Sequence, residues 1–302
     1  MTAALDTAQV VSGRKLRDTL LAQAATVSAR LREMGIVPHL AVVLVGDNPA
    51  SQVYVQAKTK AAEACGIASS VHPLPATVSQ AELGALIDRL NAHDGVHGIL
   101  LQLPLPDGLC RDTAIDGIHP AKDVDGLTPT NVGLLELKRE GLKPCTPLGI
   151  MRILHHLGTP LKGIDAVMIG RSDLVGRPMA SLLAQAEATV TMCHRYTKDI
   201  GLYLKSADLV IVAAGSPELV KGYQLKAGAT VIDVGITPVT DAEGNRRLLG
   251  DCAFDSCKGV AAYITPVPGG VGPMTVASLM TNTLDATCRQ HALPVPDWRL
   301  KD

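Results

Sequence analysis

The stretch VMIGRSDLVGRPMASLL, residues 167–183, decides the fold. An apolar run ends at Gly170, a second glycine follows at Gly176, and an apolar helical pattern lies behind it. Strand, glycine turn and helix in that order build the corner of dinucleotide folds where backbone N–H groups at a helix amino terminus meet a pyrophosphate. Ser172 replaces the usual middle glycine, so the strict G-x-G-x-x-G spacing fails, but a small residue still permits close backbone approach. A tight turn between strand and helix would use the same glycines. Position favours the nucleotide. Gly170 ends the first of four Val- and Ile-rich strands, at 166–170, 188–194, 207–215 and 229–236, and doubly wound sheets bind ligands outside the carboxyl ends of their strands.

An NAD site ordinarily carries an acid at the end of its second strand, where it accepts hydrogen bonds from the ribose. Here that strand ends in His194 and Arg195. Together with Arg171 in the turn, they offer donors and positive charge to a 2′-phosphate, which predicts NADP as cofactor. Ordinary solvated charge is the competing explanation. Gly215, Gly235 and the neighbouring Ile236 close the third and fourth strands, where a glycine either admits half of the cofactor or makes a turn.

Working outward, the first half of the chain also alternates. Helical patterns at 12–34, 51–65 and 79–93 separate apolar strands at 40–46, 69–74 and 96–103, the signature of crossover-connected α/β structure. Residues 107–146 are rich in Pro, Gly and Asp and lack strong periodicity, so the domain junction is placed there. Thr146 and Pro147 then open a helix to about residue 157, and a last helix covers 274–291. The expected architecture is two α/β domains. One spans 1–146 and is completed by 274–302; the other, 147–273, is a Rossmann-type doubly wound domain.

The 302 residues suffice for two domains of roughly 100–200 residues each. With 28 basic against 29 acidic residues and 2% aromatics, the chain has neither the charge excess nor the stacking platforms of a nucleic-acid binder. No window of eighteen uncharged apolar residues occurs, and MTAALDTAQVVSGRKL has no basic stretch followed by an apolar run, so no membrane partner is expected and a cytoplasmic location is. Seven cysteines without a CxxC predict ordinary thiols and no metal site. G-x-S-x-G, H-E-x-x-H and P-loop motifs are missing, and the adjacent His155 and His156 cannot share a helix face.

Chemistry-bearing residues stand out in four places. SQVYVQAKTK sets Tyr54 and Lys58 four residues apart, on one face of a helix; a helical lysine is more often simply solvated. In LLQLPLP, Gln102 interrupts an apolar run at the carboxyl end of a strand, where a polar group needs a partner if buried. AKDVDGL supplies Asp123 and Asp125 beside a glycine, which in isolation would cap a turn or chelate a metal. The uncharged loop YITPVPGGVGPMT, residues 263–275, is stiff at its prolines and open at its glycines, so that a planar ligand can lie against it; a plain linker is the alternative.

YVxxK at 54–58, LQLPLP at 101–106, KDVDG at 122–126, GRSxxVGxP at 170–178 and PVPGGVGPMT at 266–275 together closely resemble the bifunctional methylenetetrahydrofolate dehydrogenase and methenyltetrahydrofolate cyclohydrolase family of the bacterial type. The resemblance runs in order along nearly the whole chain. It implies a catalytic domain, a Rossmann-type NADP domain, a last helix returning to the first domain, folate held in the cleft between them, and a homodimer acting on tetrahydrofolate derivatives. It assigns Lys58 as catalytic lysine, Gln102 as its partner, Tyr54 as the residue that stacks on or orients folate, and Asp125 as the carboxylate that holds the pterin, with Asp123 the other candidate. Pro268, Gly269 and Gly270 would contact folate, and Arg171, Ser172 and Arg195 the NADP phosphates. A two-domain dehydrogenase of another small molecule, such as a shikimate-like one, and an NADP-binding regulator without catalysis are the competing classes. The joint presence of Tyr54, Lys58, Gln102 and Asp125 speaks against the regulator.

Overall fold

A computed structural model describes residues 7–240, 244–298 and 300. Residues 1–6, on which the absence of a leader was partly read, and 299 and 301–302 of the expected last segment lie outside the described residues. Along the chain run β1 (Gln9–Val10), α1 (Gly13–Glu33), β2 (His39–Val45), α2 (Pro49–Ala64), β3 (Ala68–Leu74), α3 (Gln80–Ala92), β4 (Gly98–Leu101), α4 (Arg111–Asp116), α5 (Pro129–Glu136) and α6 (Cys145–His156). There follow β5 (Asp165–Ile169), α7 (Gly176–Gln185), β6 (Thr189–Cys193), α8 (Gly201–Leu204), β7 (Leu209–Val212), β8 (Thr230–Asp233), β9 (Thr237–Thr240), β10 (Arg246–Leu249), α9 (Phe254–Lys258), β11 (Tyr263–Ile264) and α10 (Val271–Gln290).

The chain divides into two compact units, one of residues 18–145 and 276–300, the other of 1–17, 146–275 and 301–302. The expected division put all of 1–146 in one domain. The first residues instead join the second unit because β1 pairs with β11, Gln9 opposite Tyr263 and Val10 opposite Ile264.

The 18–145 unit holds a parallel sheet in the order β3-β2-β4. β2, sequence HLAVVLV, is buried at every position but its first, as both faces of a parallel sheet are covered. Val43, Leu83, Ile87, Ile99 and Leu101 meet in one core beneath α3. Ser79 caps that helix in a capping box with Glu82, and Lys122 closes its other end, donating from Nζ to the carbonyls of Leu90, Asn91 and His93. A cation over unsatisfied carbonyls at a helix carboxyl end is favourably placed.

The other unit holds a six-stranded parallel sheet, β1-β11-β8-β7-β5-β6. β5 lies between β6 and β7, so the chain leaves it in one direction and returns on the other side, which creates a switch point at the carboxyl ends of β5 and β7. Val167, Ile169, Val210, Val212, Val231 and Ile264 form its core.

Some boundaries differ from those expected. The last helix begins at Val271, not 274, and α2 at Pro49, where Asn48 accepts from Ala50 N and Ser51 N and proline occupies the first turn. The aperiodic 107–146 region contains α4 and α5, and the antiparallel pair β9–β10 fills a stretch with no expected element.

Candidate active site

In the 18–145 unit, α2 carries Tyr54, exposed at 45%, and Lys58 one turn later. Val55 and Ala62 anchor the helix in the core. Lys58 Nζ donates to Gln102 Oε1 at 2.8 Å. Gln102 follows β4, is only 7% exposed, donates its backbone N–H to Val43 O, and sends Nε2 to Leu103 O at 2.6 Å. The amide orientation follows: with its NH2 on a carbonyl, the oxygen is what remains for the lysine.

The two aspartates of KDVDG part company. Asp123 is buried, and its Oδ2 accepts from Thr128 N, Thr128 Oγ1 and Asn131 Nδ2 at 2.8–2.9 Å, so it tethers the start of α5. Asp125 interacts electrostatically with Lys58 instead. Burial holds the Lys58 amine below its ordinary value, opposed by Asp125 and Cys145; burial likewise pushes the Asp125 carboxyl up, opposed by Lys58 and a hydrogen bond with Cys145. A half-buried lysine beside a carboxylate and an amide oxygen is equipped to take up and release a proton.

Two contributors here escaped the sequence reading. Cys145 Sγ donates to Val124 O at 3.3 Å, and Asn282, on α10, donates from Nδ2 to Val124 O and Lys143 O, each at 2.8 Å. Gly126, at φ +67°, lies so close to Lys143 and Pro144 that a Cβ there would collide with their backbone. The loop that presents Asp125 is thereby fastened to residues 143–145.

In the other unit, Gly170 (φ +116°) faces Ala213, and a Cβ on it would strike the Ala213 carbonyl; one on Gly176 would strike the Gly170 carbonyl. These contacts leave no room for a side chain at either position and set the first turn of α7 directly behind the end of β5, an arrangement of helix amino terminus and strand end that suits a pyrophosphate. Ser172 Oγ accepts from Val175 N (3.2 Å) and Gly176 N (3.5 Å), so it organises the turn itself. Arg171 is exposed. Arg195 is exposed too, with its guanidinium 4.7 Å from the Tyr196 ring centre and donating to the Tyr196 hydroxyl, while His194 Nδ1 accepts from Tyr196 N. Gly215 follows β7; Gly235 and Ile236 follow β8, with Ile236 47% exposed. Two buried carboxylates, Asp233 and Asp251, underlie these turns and carried no signal in the sequence. Pro268, Gly269 and Gly270 also belong to this unit; Gly269 has φ +106°, and Gly270 packs against Gly13 so tightly that a Cβ on Gly13 would meet its carbonyl.

A doubly wound nucleotide-type unit and an α/β unit that carries a Lys58–Gln102–Asp125 set define the class: a two-unit α/β dehydrogenase. Residues 144–291 match the family model for the tetrahydrofolate dehydrogenase/cyclohydrolase NAD(P)-binding domain, and residues 11–125 match that for the catalytic domain. The chain belongs to the tetrahydrofolate dehydrogenase/cyclohydrolase family. It is 51% identical over 291 residues to the bifunctional protein FolD of Bradyrhizobium diazoefficiens, covering 96% of this chain and 99% of that one. Among solved structures it is similar to the bifunctional FolD methylenetetrahydrofolate dehydrogenase/cyclohydrolase of Campylobacter jejuni (48% identity, TM-score 0.90, 93% and 99% of the two chains). It is also similar to the Trypanosoma brucei FolD complexed with NADP and an inhibitor (42% identity, TM-score 0.90, 94% and 98%). Among the described residues, no helix is long and apolar enough to cross a membrane.

Proposed function

We infer that this protein oxidises methylenetetrahydrofolate to methenyltetrahydrofolate with NADP and hydrolyses the methenyl form to 10-formyltetrahydrofolate, in one-carbon metabolism. The observation that carries the inference is the Lys58–Gln102 bond at 2.8 Å, with Asp125 acting on the same amine, in a unit matching the family's catalytic domain.

NADP supplies the hydride acceptor. The Gly170–Gly176 turn and the amino end of α7 are the pyrophosphate seat, and Arg171, His194 and Arg195 hold the 2′-phosphate. Gly215, Gly235 and Ile236 complete the cofactor site. Asp125, and not the buried Asp123, accepts the pterin's N–H donors; Tyr54, Pro268, Gly269 and Gly270 orient the folate.

Loss of hydride leaves a methenyl cation. Lys58, whose charged form burial disfavours, in its neutral form takes a proton from the water that adds to this carbon, then returns one to the ring nitrogen as the carbon–nitrogen bond breaks. Gln102 Oε1 keeps the amine aimed. The protein acts on tetrahydrofolate derivatives as a cytoplasmic homodimer; β3 pairs with β2 alone among the described strands, which leaves an open edge for a second copy.

The test is a spectrophotometric assay of methenyl-folate formation from methylenetetrahydrofolate with NADP, then with NAD, followed by decay of added methenyl-folate. Both activities are expected, with NADP preferred. Failure to oxidise methylenetetrahydrofolate with either cofactor overturns the assignment. Light scattering on the eluted protein checks the dimer.

A further inference from the structure

Behind the ends of β7 and β8, two buried carboxylates are stacked through the backbone. Asp251 is fully buried; its Oδ2 accepts from Ala214 N at 2.6 Å and Gly215 N at 2.9 Å, and its Oδ1 from Ser216 N at 2.7 Å. Asp233, 3% exposed, accepts in turn from Gly235 N and Asp251 N, both at 3.0 Å, and from Cys252 N at 2.8 Å. The space around them is full. A Cβ on Gly235 would run into the Asp251 carboxylate, and one on Gly250 into that of Asp233.

Three consecutive N–H groups converging on one carboxylate fix a turn far more tightly than loop packing alone, because each bond is charge-assisted and shielded from water. The turn so fixed, residues 214–216, follows β7 at the switch point beside Gly170, where open α/β sheets bind their ligands. Asp251 itself has no exposed surface, so it acts on a ligand only through that turn.

We propose that Asp251 is a positioning residue for the cofactor: its carboxylate holds the 214–216 turn in the conformation that receives the nucleotide, and Asp233 holds Asp251 and Gly235 in register behind it. A second consequence follows from the same bonds. With the N–H groups of 214–216 claimed from within, this turn offers no N–H donors to a phosphate, and the phosphates are directed to the Gly170–Gly176 corner. The proposal rests on the NADP-dependent function inferred above.

The test compares the unmodified protein with Asp251→Ala and Asp251→Asn. NADP affinity is read by isothermal titration, cyclohydrolase turnover is read on added methenyl-folate without cofactor, and folding is read by melting. Titration of the unmodified protein tests the functional inference separately: if it fails to bind NADP, that inference falls, whatever the variants do. Given binding, Asp251→Ala is expected to raise the NADP Kd by about tenfold or more, the scale of one charge-assisted hydrogen bond. Asn, which keeps one acceptor oxygen, should fall between, and cyclohydrolase turnover should stay within about twofold in both. Unchanged NADP affinity in a folded variant overturns the proposal. So does a parallel loss of cofactor affinity and cyclohydrolase turnover, which marks Asp251 as a residue of the fold only. Should the alanine variant not fold, the asparagine variant decides by the same criteria.

Discussion

The two halves of the chemistry are built from different materials. The proposed nucleotide corner is made of backbone: Gly170 and Gly176 are there for the side chains they lack, and Ser172 turns its hydroxyl back onto the helix start. The proposed proton-transfer centre is made of side chains, Lys58, Gln102 and Asp125, partly or fully withdrawn from water. A backbone site tolerates loss of a contact but not added volume, whereas a side-chain site tolerates neither loss of its titrating group nor a change in its burial.

The largest expected effect breaks the second half alone. Lys58→Met keeps length and packing but removes the amine, so cyclohydrolase turnover should fall by roughly a hundredfold to ten-thousandfold. Dehydrogenase activity should persist in part, since hydride transfer depends on alignment of the reactants. Methenyl-folate then accumulates in the coupled assay; a parental hydrolysis rate would make Lys58 an ordinary helix residue. The unmodified enzyme sharpens the point through pH. Burial lowers the Lys58 pKa from its ordinary 10.5, so more of the amine is neutral at any given pH. Cyclohydrolase rate should rise with pH and level off below 10.5, and this limb should vanish in Lys58→Met.

Next in size, Gly176→Ala tests the first half by adding a single methyl against the Gly170 carbonyl. Overpacking of this kind costs about 1–3 kcal/mol. NADP affinity and melting temperature should drop together while hydrolysis of added methenyl-folate continues, and unchanged NADP titration would show that the corner does not seat the cofactor. The narrowest effect, of similar size but confined to one cofactor, is expected at Arg195→Ala. Loss of one charged hydrogen bond, about 1.5–3 kcal/mol, should weaken NADP by about tenfold or more and leave NAD binding nearly unchanged. Equal losses for both cofactors would remove Arg195 from the 2′-phosphate.

The same contrast governs what was legible in the sequence. Glycine spacing after an apolar strand announces a backbone site locally, and the alternation of strands and helices was plain because parallel strands are apolar throughout. Gln102 was visible as a polar residue where the pattern expected none, and Lys58 by its helical spacing from Tyr54. Asp251 and Asn282 were not. Their partners lie 35–37 and 139–158 residues away, and an isolated Asp or Asn in a sequence resembles any solvated turn residue. β1 and β11 are two residues long, too short for any period. β9 and β10 are largely exposed, which leaves no apolar alternation to read.

The segment 122–126 shows where conformational entropy is lost. Lys122 is tied to the end of α3, Asp123 to the start of α5, Val124 to Asn282 and Cys145, and Gly126 is wedged against residues 143–144. Fixing a residue's backbone costs about 1–2 kcal/mol at 25 °C, and around Asp125 that ordering is complete once the chain has folded. A ligand that docks on this carboxylate meets a loop already frozen on every side, so little of its binding free energy is diverted into ordering the receptor.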